Sequence, residues 1–233
     1  ASEHSTVQRA DIELTDNDSA PTISIATNTS SVSEDGSDLT ITVTSSIATY
    51  EDILITLGTT GGTASSGVDY AAVTTSHTIS EGTTSVQTTF NPTDDTGCYE
   101  DTETAIIGVS NTYGGGSSGT PSTTISITEN DTAPIVTLIT SDTSATEDGS
   151  DLTLTSYLSN CTFENVVVTL TGTGTATDDT DYAMGNITFT TGNTTAFTSF
   201  NPTPDDLYDA ASAETATIDV TNVSGGGASE HGT

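Results

Sequence analysis

The heptapeptide Glu34-Asp35-Gly36-Ser37-Asp38-Leu39-Thr40 recurs unchanged as Glu147-Asp148-Gly149-Ser150-Asp151-Leu152-Thr153, a period of 113 residues (34 against 147). Other landmarks nearly keep step. Asp69-Tyr70-Ala71 returns as Asp181-Tyr182-Ala183, Glu103-Thr104-Ala105 as Glu214-Thr215-Ala216, and Asn17-Asp18 ahead of Pro21 as Asn130-Asp131 ahead of Pro134. A repeat this long forces two copies of one fold rather than one large domain. The units run over 21–133 and 134–233, and residues 1–20 are left over at the N-terminal side.

Within the first unit, alternating Thr, Val, Ile and Leu between Gly, Pro and polar clusters predicts seven strands. They fall at Thr22 to Ala26 (A), Leu39 to Thr44 (B), Ile53 to Leu57 (C), His77 to Ser80 (D), Thr84 to Phe90 (E), Thr104 to Val109 (F) and Thr123 to Thr128 (G). No stretch has a helical period. Seven antiparallel strands in about 110 residues predict an all-β chain of two tandem immunoglobulin-like β-sandwiches.

Thirty-three Asp and Glu stand against one Lys or Arg, a formal charge of −32. That balance excludes nucleic acid as a partner, and insertion into a membrane is excluded because no apolar run approaches ~20 residues. Salt bridges cannot neutralise the acids either. Five of them crowd the loop from Phe90 to Glu103, where like charges repel unless a cation intervenes. A hard divalent ion with oxygen ligands, Ca2+ above all, suits such a loop. Zinc would need Cys or His together, and His4, His77 and His231 are scattered. The same scatter leaves no nucleophile–base arrangement, so an enzyme is not expected.

Strand parity sharpens the metal reading. If successive strands alternate in direction, the A–B, C–D and E–F connections and the end of G share one end of each sandwich. That end would gather Glu34, Asp69, Asp94, Asp95, Glu100 and Glu103, with Glu129, Asn130 and Asp131 just after G. Solvated loop acids, the ordinary alternative, have no reason to converge.

These residues carry a family resemblance. Ser31-Val-Ser-Glu-Asp-Gly36, Gly61-Gly-Thr-Ala-Ser-Ser-Gly-Val-Asp-Tyr70, Ile79-Ser-Glu-Gly-Thr83 and the run from Asp94-Asp95 to Glu103-Thr104 resemble Calx-β domains, the calcium-binding sandwich repeats of exchangers and surface proteins. The resemblance implies Ca2+ ligands at Glu34, Asp69, Asp94, Asp95, Glu100, Glu103 and Asp131 in the first unit. In the second it implies Glu147, Asp181, Asp205, Asp206 and Glu214. There Asp209-Ala210 replaces Glu100-Asp101 and Pro204 is inserted, so a weaker site is expected, with Asp178 and Asp179 as substitutes.

The second unit has no counterpart of strand G, whereas Ser5 to Asp18 reads as a strand G with no unit of its own, Ile12 matching Ile125 at the 113-residue period. A sandwich without its last strand has an open edge. The expectation is a head-to-tail homopolymer of this chain, the N-terminal strand of one copy completing the second unit of another and Asp18 entering its calcium site. The alternatives are a piece of a longer tandem adhesin stalk, or a calcium-sensing or ligand-binding module. Parity also turns Cys98 and Cys161 toward the junction of the units. A disulfide between them is expected, with two free thiols as the alternative, and it would suit an extracellular, cell-surface setting.

Overall fold

The structure, a computed structural model, describes residues 9–73, 75–95, 97–114, 120–204 and 213–231. Alternation of β-branched residues produces strands throughout, and the described residues contain no helix. The first unit holds β1 (Ile23–Thr27), β2 (Ser31–Ser33), β3 (Leu39–Ser45), β4 (Ile53–Gly62), β5 (Ser76–Ile79), β6 (Ser85–Phe90), β7 (Cys98–Tyr99), β8 (Glu103–Tyr113) and β9 (Ser122–Thr128). The second holds β10 (Ile135–Thr140), β11 (Leu152–Leu158), β12 (Cys161–Thr162), β13 (Val166–Gly174), β14 (Tyr182–Met184), β15 (Ile187–Phe189), β16 (Thr195–Pro202), β17 (Ala216–Ser224) and β18 (Ser229–Glu230).

In the first unit a three-stranded sheet, β1-β3-β6, faces a five-stranded sheet, β2-β9-β8-β4-β5. Their inward residues form the core, with Ile41, Phe90, Ile107 and Ile125 fully buried. All seven expected strands are present, and β1, β3, β5, β6 and β9 lie within a residue or so of their expected bounds. The long strands β4 and β8 run further than the apolar alternation does because they pair with each other, Gly58 and Gly62 lying opposite Gly108 and Ala105, and Asn111 and Tyr113 opposite Thr56 and Leu54. The short β2 was not foreseen. It lies parallel to β9, Val32 opposite Ile127, and belongs to a polar run that carries no period-2 signal.

The second unit repeats the frame only in part. Its sheets are β14-β16-β11-β10-β18 and β15-β13-β17. Where β8 lies between β4 and β9, its counterpart β17 pairs with β13 alone among the described residues. The difference shows in the core. Ala105, Ile107 and Val109 of β8 are fully buried, while Ala216, Ile218 and Val220 at the same places in β17 are half-exposed.

Two features depart from expectation. A strand fragment, β18, follows the Gly225–Gly227 turn and pairs in parallel with the start of β10. The N-terminal residues 9–18, expected as a strand G, form no strand; Ile12 and Leu14 are 82% and 92% exposed. The beginning of that expected strand, from Ser5, lies outside the described residues.

Candidate metal centre

Each acid of the first unit is delivered by a different connection. The β2–β3 turn carries Glu34, whose backbone N–H donates to the Thr128 carbonyl at 3.1 Å, so the last residue of β9 fixes it. Gly36 closes the same turn, its N–H donating to the Ser33 carbonyl, and a Cβ there would come 2.7 Å from that oxygen. Asp69 sits between β4 and β5. Its carboxylate accepts from the Ser65 N–H and its carbonyl accepts from the Thr93 N–H at 2.9 Å, which ties it to the loop after β6. That loop and the start of β8 supply Asp95, Glu100 and Glu103.

Glu34, Asp95 and Glu100 bring a carboxylate oxygen each within 4.8 Å of one another, and so do Asp69, Glu100 and Glu103. Glu100 is shared, so the two groups are adjoining positions in one centre. Among the sequence-predicted residues of this unit, Asp94 is exposed beside Asp95 and adds to its charge. Asp131 accepts from the Gly97 N–H at 2.8 Å and holds the loop in place.

The electrostatics are strained in one direction. Burial first, then repulsion from Glu129, Asp95, Glu100 and Asp131, pushes Glu34 up to about 8. Burial followed by Asp69, Asp95 and Glu129 lifts Glu100 to about 7. Glu103 is lifted to about 7 by burial and then by its hydrogen bond and charge contact with Asp69, and Asp95 is raised by burial and then by Glu129. Glu34 is only 3% exposed, and its Oε2, with Asp95 Oδ1 and Glu103 Oε2, is buried without a hydrogen-bond partner. Unpaired buried carboxylate oxygens are costly. A cation at the first position would satisfy Glu34 and Asp95 and one at the second Glu103, and an all-oxygen donor set of this size and flexibility fits Ca2+.

Glu129 belongs to the centre although it lay outside the expected ligand set. Its carboxylate accepts from the Glu100 and Asp131 N–H groups and so orients both. The repeat held the signal: Asp16 stands at the same place before Asn17-Asp18 as Glu129 does before Asn130-Asp131.

The second unit brings its acids together less. Asp181 repeats the bonding of Asp69, accepting from the Thr177 N–H at 2.6 Å and, through its carbonyl, from Thr203. Glu147 and Glu214 are exposed. Asp205 and Asp206 lie outside the described residues. Asp178 and Asp179 are also exposed, and no acidic group of the kind seen in the first unit forms there among the described residues. Asp18 stands apart on the N-terminal segment, its N–H bonded to Asp16 at 2.9 Å.

The centre is anchored to the second unit. Cys98 and Cys161 form a disulfide with Cα atoms 4.5 Å apart, inside a short parallel pair of β7 with β12. Tyr99 packs so closely on Gly227 that a Cβ there would lie 2.2 Å from its ring. The loop bearing Asp95 and Glu100 is therefore held from both sides.

The Calx-β domain model matches residues 16–132 and 157–229, most of the chain. Three solved structures are similar to it. CBD12 from CALX1.2 is 19% identical over 77% of this chain and 74% of that one, with a TM-score of 0.41. The calcium binding domain CBD12 of CALX1.1 is 21% identical over 75% and 74%, with a TM-score of 0.42. The apo-form Calx CBD1 domain is 20% identical over 47% of this chain and 98% of its own, with a TM-score of 0.39. No curated protein matches significantly.

Proposed function

The chain belongs to the Calx-β domain family, and from that premise we propose an extracellular, non-catalytic structural protein that binds Ca2+ and assembles head to tail by strand donation. Glu34, Asp69, Asp95, Glu100 and Glu103 would hold the ion, with Glu129 and Asp131 orienting the loop. Bound Ca2+ would neutralise the carboxylates that otherwise repel across the joint of three connections. The residues' own contribution is to be preset: the Thr128, Ser65 and Glu129 contacts hold the acids in place, and the disulfide ties their loop to the next unit. That disulfide suits an oxidising exterior.

The assembly reading is carried by one observation: Ala216, Ile218 and Val220 are half-exposed along an open strand edge, while Ala105, Ile107 and Val109 are sealed. The missing cover has the character of a strand G, and Ile12 and Leu14 of another copy supply it in sequence and exposure. A second reading, a piece of a longer tandem stalk whose own chain continues into this place, is favoured by β18, which already runs beside β10 toward it.

Electron microscopy of the purified chain with Ca2+ and after chelation separates the two. Filaments that need Ca2+ support donation between copies. Monodisperse particles under both conditions overturn it in favour of the stalk.

A further inference from the structure

A groove of about 310 Å³ runs between β10 and β17, lined by Val136, Thr137, Leu138, Ile218, Asp219 and Val220 and by Glu230 and His231. Resting on the strand-donation reading, the internal repeat gives the register in which a donor would lie there. In the first unit β8 and β9 pair antiparallel, with Gly108 opposite Ser122, Ile107 opposite Thr123 and Ala105 opposite Ile125. A Cβ on Gly108 would sit 3.5 Å from the Ser122 Cβ, so the two positions share a face. Asp219 takes the place of Gly108 in β17, and Arg9 takes the place of Ser122 in the N-terminal segment.

We infer that Arg9, the single Lys or Arg of the chain, docks opposite Asp219 of a second copy and sets the register of the donated strand. Every other position of that alignment agrees. Ala10, Ile12 and Leu14 alternate inward, where Thr123, Ile125 and Ile127 lie in the first unit. Asp11 and Glu13 face outward opposite Thr217 and Thr215, so no donor acid meets an acceptor acid. A slip of two residues in one direction would set Asp11 against Asp219, and like charges directly opposite are destabilising. In the unassembled chain Arg9 contacts Asp11 at 2.7 Å with both side chains largely exposed, a local pair that costs little to exchange. The same register puts the Thr15 carbonyl where Thr128 holds Glu34, beside the Glu147 N–H.

The test uses the full chain carrying Ile12→Asp and Leu14→Asp, two exposed positions, so that it accepts a strand without donating one. A capped peptide spanning Arg9 to Ala20 is titrated into it by calorimetry at low salt. Arg9→Asp in the peptide should weaken binding roughly tenfold, and Asp219→Arg in the acceptor should reverse the preference between the two peptides. Amide exchange at Glu147 should slow roughly tenfold or more when the peptide binds. Binding that ignores the charge exchange overturns the register and leaves strand donation standing. An absence of binding by either peptide to either acceptor overturns strand donation, and the register with it.

Discussion

The Glu34 N–H donates to the carbonyl of Thr128, the last residue of β9, at 3.1 Å. Glu147 begins the same seven residues, yet it is exposed and its turn, residues 144–149, contains no strand. The heptapeptide is identical and closes the same turn in both units, the Gly149 N–H donating to the Thr146 carbonyl as Gly36 does to Ser33, so the burial of its glutamate is set by the neighbouring strand and not by its own sequence. In the first unit Val32 and Ser33 pair with β9 and swing Glu34 inward; in the second no described strand does this.

Glu34→Gln and Glu147→Gln should therefore behave differently in the unassembled chain. Removing the Glu34 charge relieves a buried carboxylate crowded by other acids and should stabilise the metal-free protein by about 1–3 kcal/mol, while weakening Ca2+ binding by roughly tenfold or more. Glu147→Gln should change neither by more than about 0.5 kcal/mol. Chemical denaturation with and without Ca2+ reads both, and equal effects would contradict the assignment.

The pH dependence follows from the same crowding. A carboxyl whose folded pKa is raised above its unfolded value contributes stability below the unfolded value and loses it as pH rises through the folded one. For Glu34 that window runs from its ordinary 4.5 to about 8, and for Glu100 and Glu103 from 4.5 to about 7. Metal-free protein should thus melt at a lower temperature at pH 8 than at pH 5. Ca2+ should reverse the trend, since protons compete with the ion. A metal-free melting temperature that is flat or rises with pH would count against it, and Glu34→Gln should flatten the slope.

Much of this was legible in the sequence. Period-2 runs located the strands, and parity brought Glu34, Asp69, Asp95, Glu100 and Glu103 to one end because it depends only on strand count. The Cys98–Cys161 pairing followed from the same parity. Illegible parts depend on a partner that local sequence does not encode. β2 exists because β9 offers it an edge, and β18 because β10 does. Parity placed Glu129 at the same end, but its role there was hidden because a backbone-binding acid looks like any other acid, and the contrast between Glu34 and Glu147 is invisible in two identical heptapeptides.

The paired tyrosines offer a test inside the cores. Tyr70 stacks on Phe90 at 4.7 Å and its hydroxyl contacts Thr59 Oγ1 at 2.7 Å. Tyr182 stacks on Phe200 at 4.5 Å, but Gly172 replaces the threonine and the Tyr182 hydroxyl is buried without a partner. Tyr70→Phe should cost about 1 kcal/mol, and Tyr182→Phe should be neutral or stabilising by a similar amount. Thermal denaturation of the two variants is the check, and a larger loss for Tyr182→Phe would refute it.

A last prediction crosses the junction. Gly227 has φ 56° and lies under the Tyr99 ring, where an added Cβ would come within 2.2 Å. Gly227→Ala must push Tyr99 away, and Tyr99 adjoins both Cys98 and the Glu100 N–H that Glu129 orients. The substitution lies in the second unit, far in sequence from any ligand, yet it should weaken Ca2+ binding by the first unit several-fold. Gly192→Ala, also at positive φ but with open space around it, carries similar backbone strain without touching the loop. Calorimetric Ca2+ titration of both variants separates the two effects: if Gly227→Ala binds Ca2+ as Gly192→Ala does, the junction does not hold the metal loop.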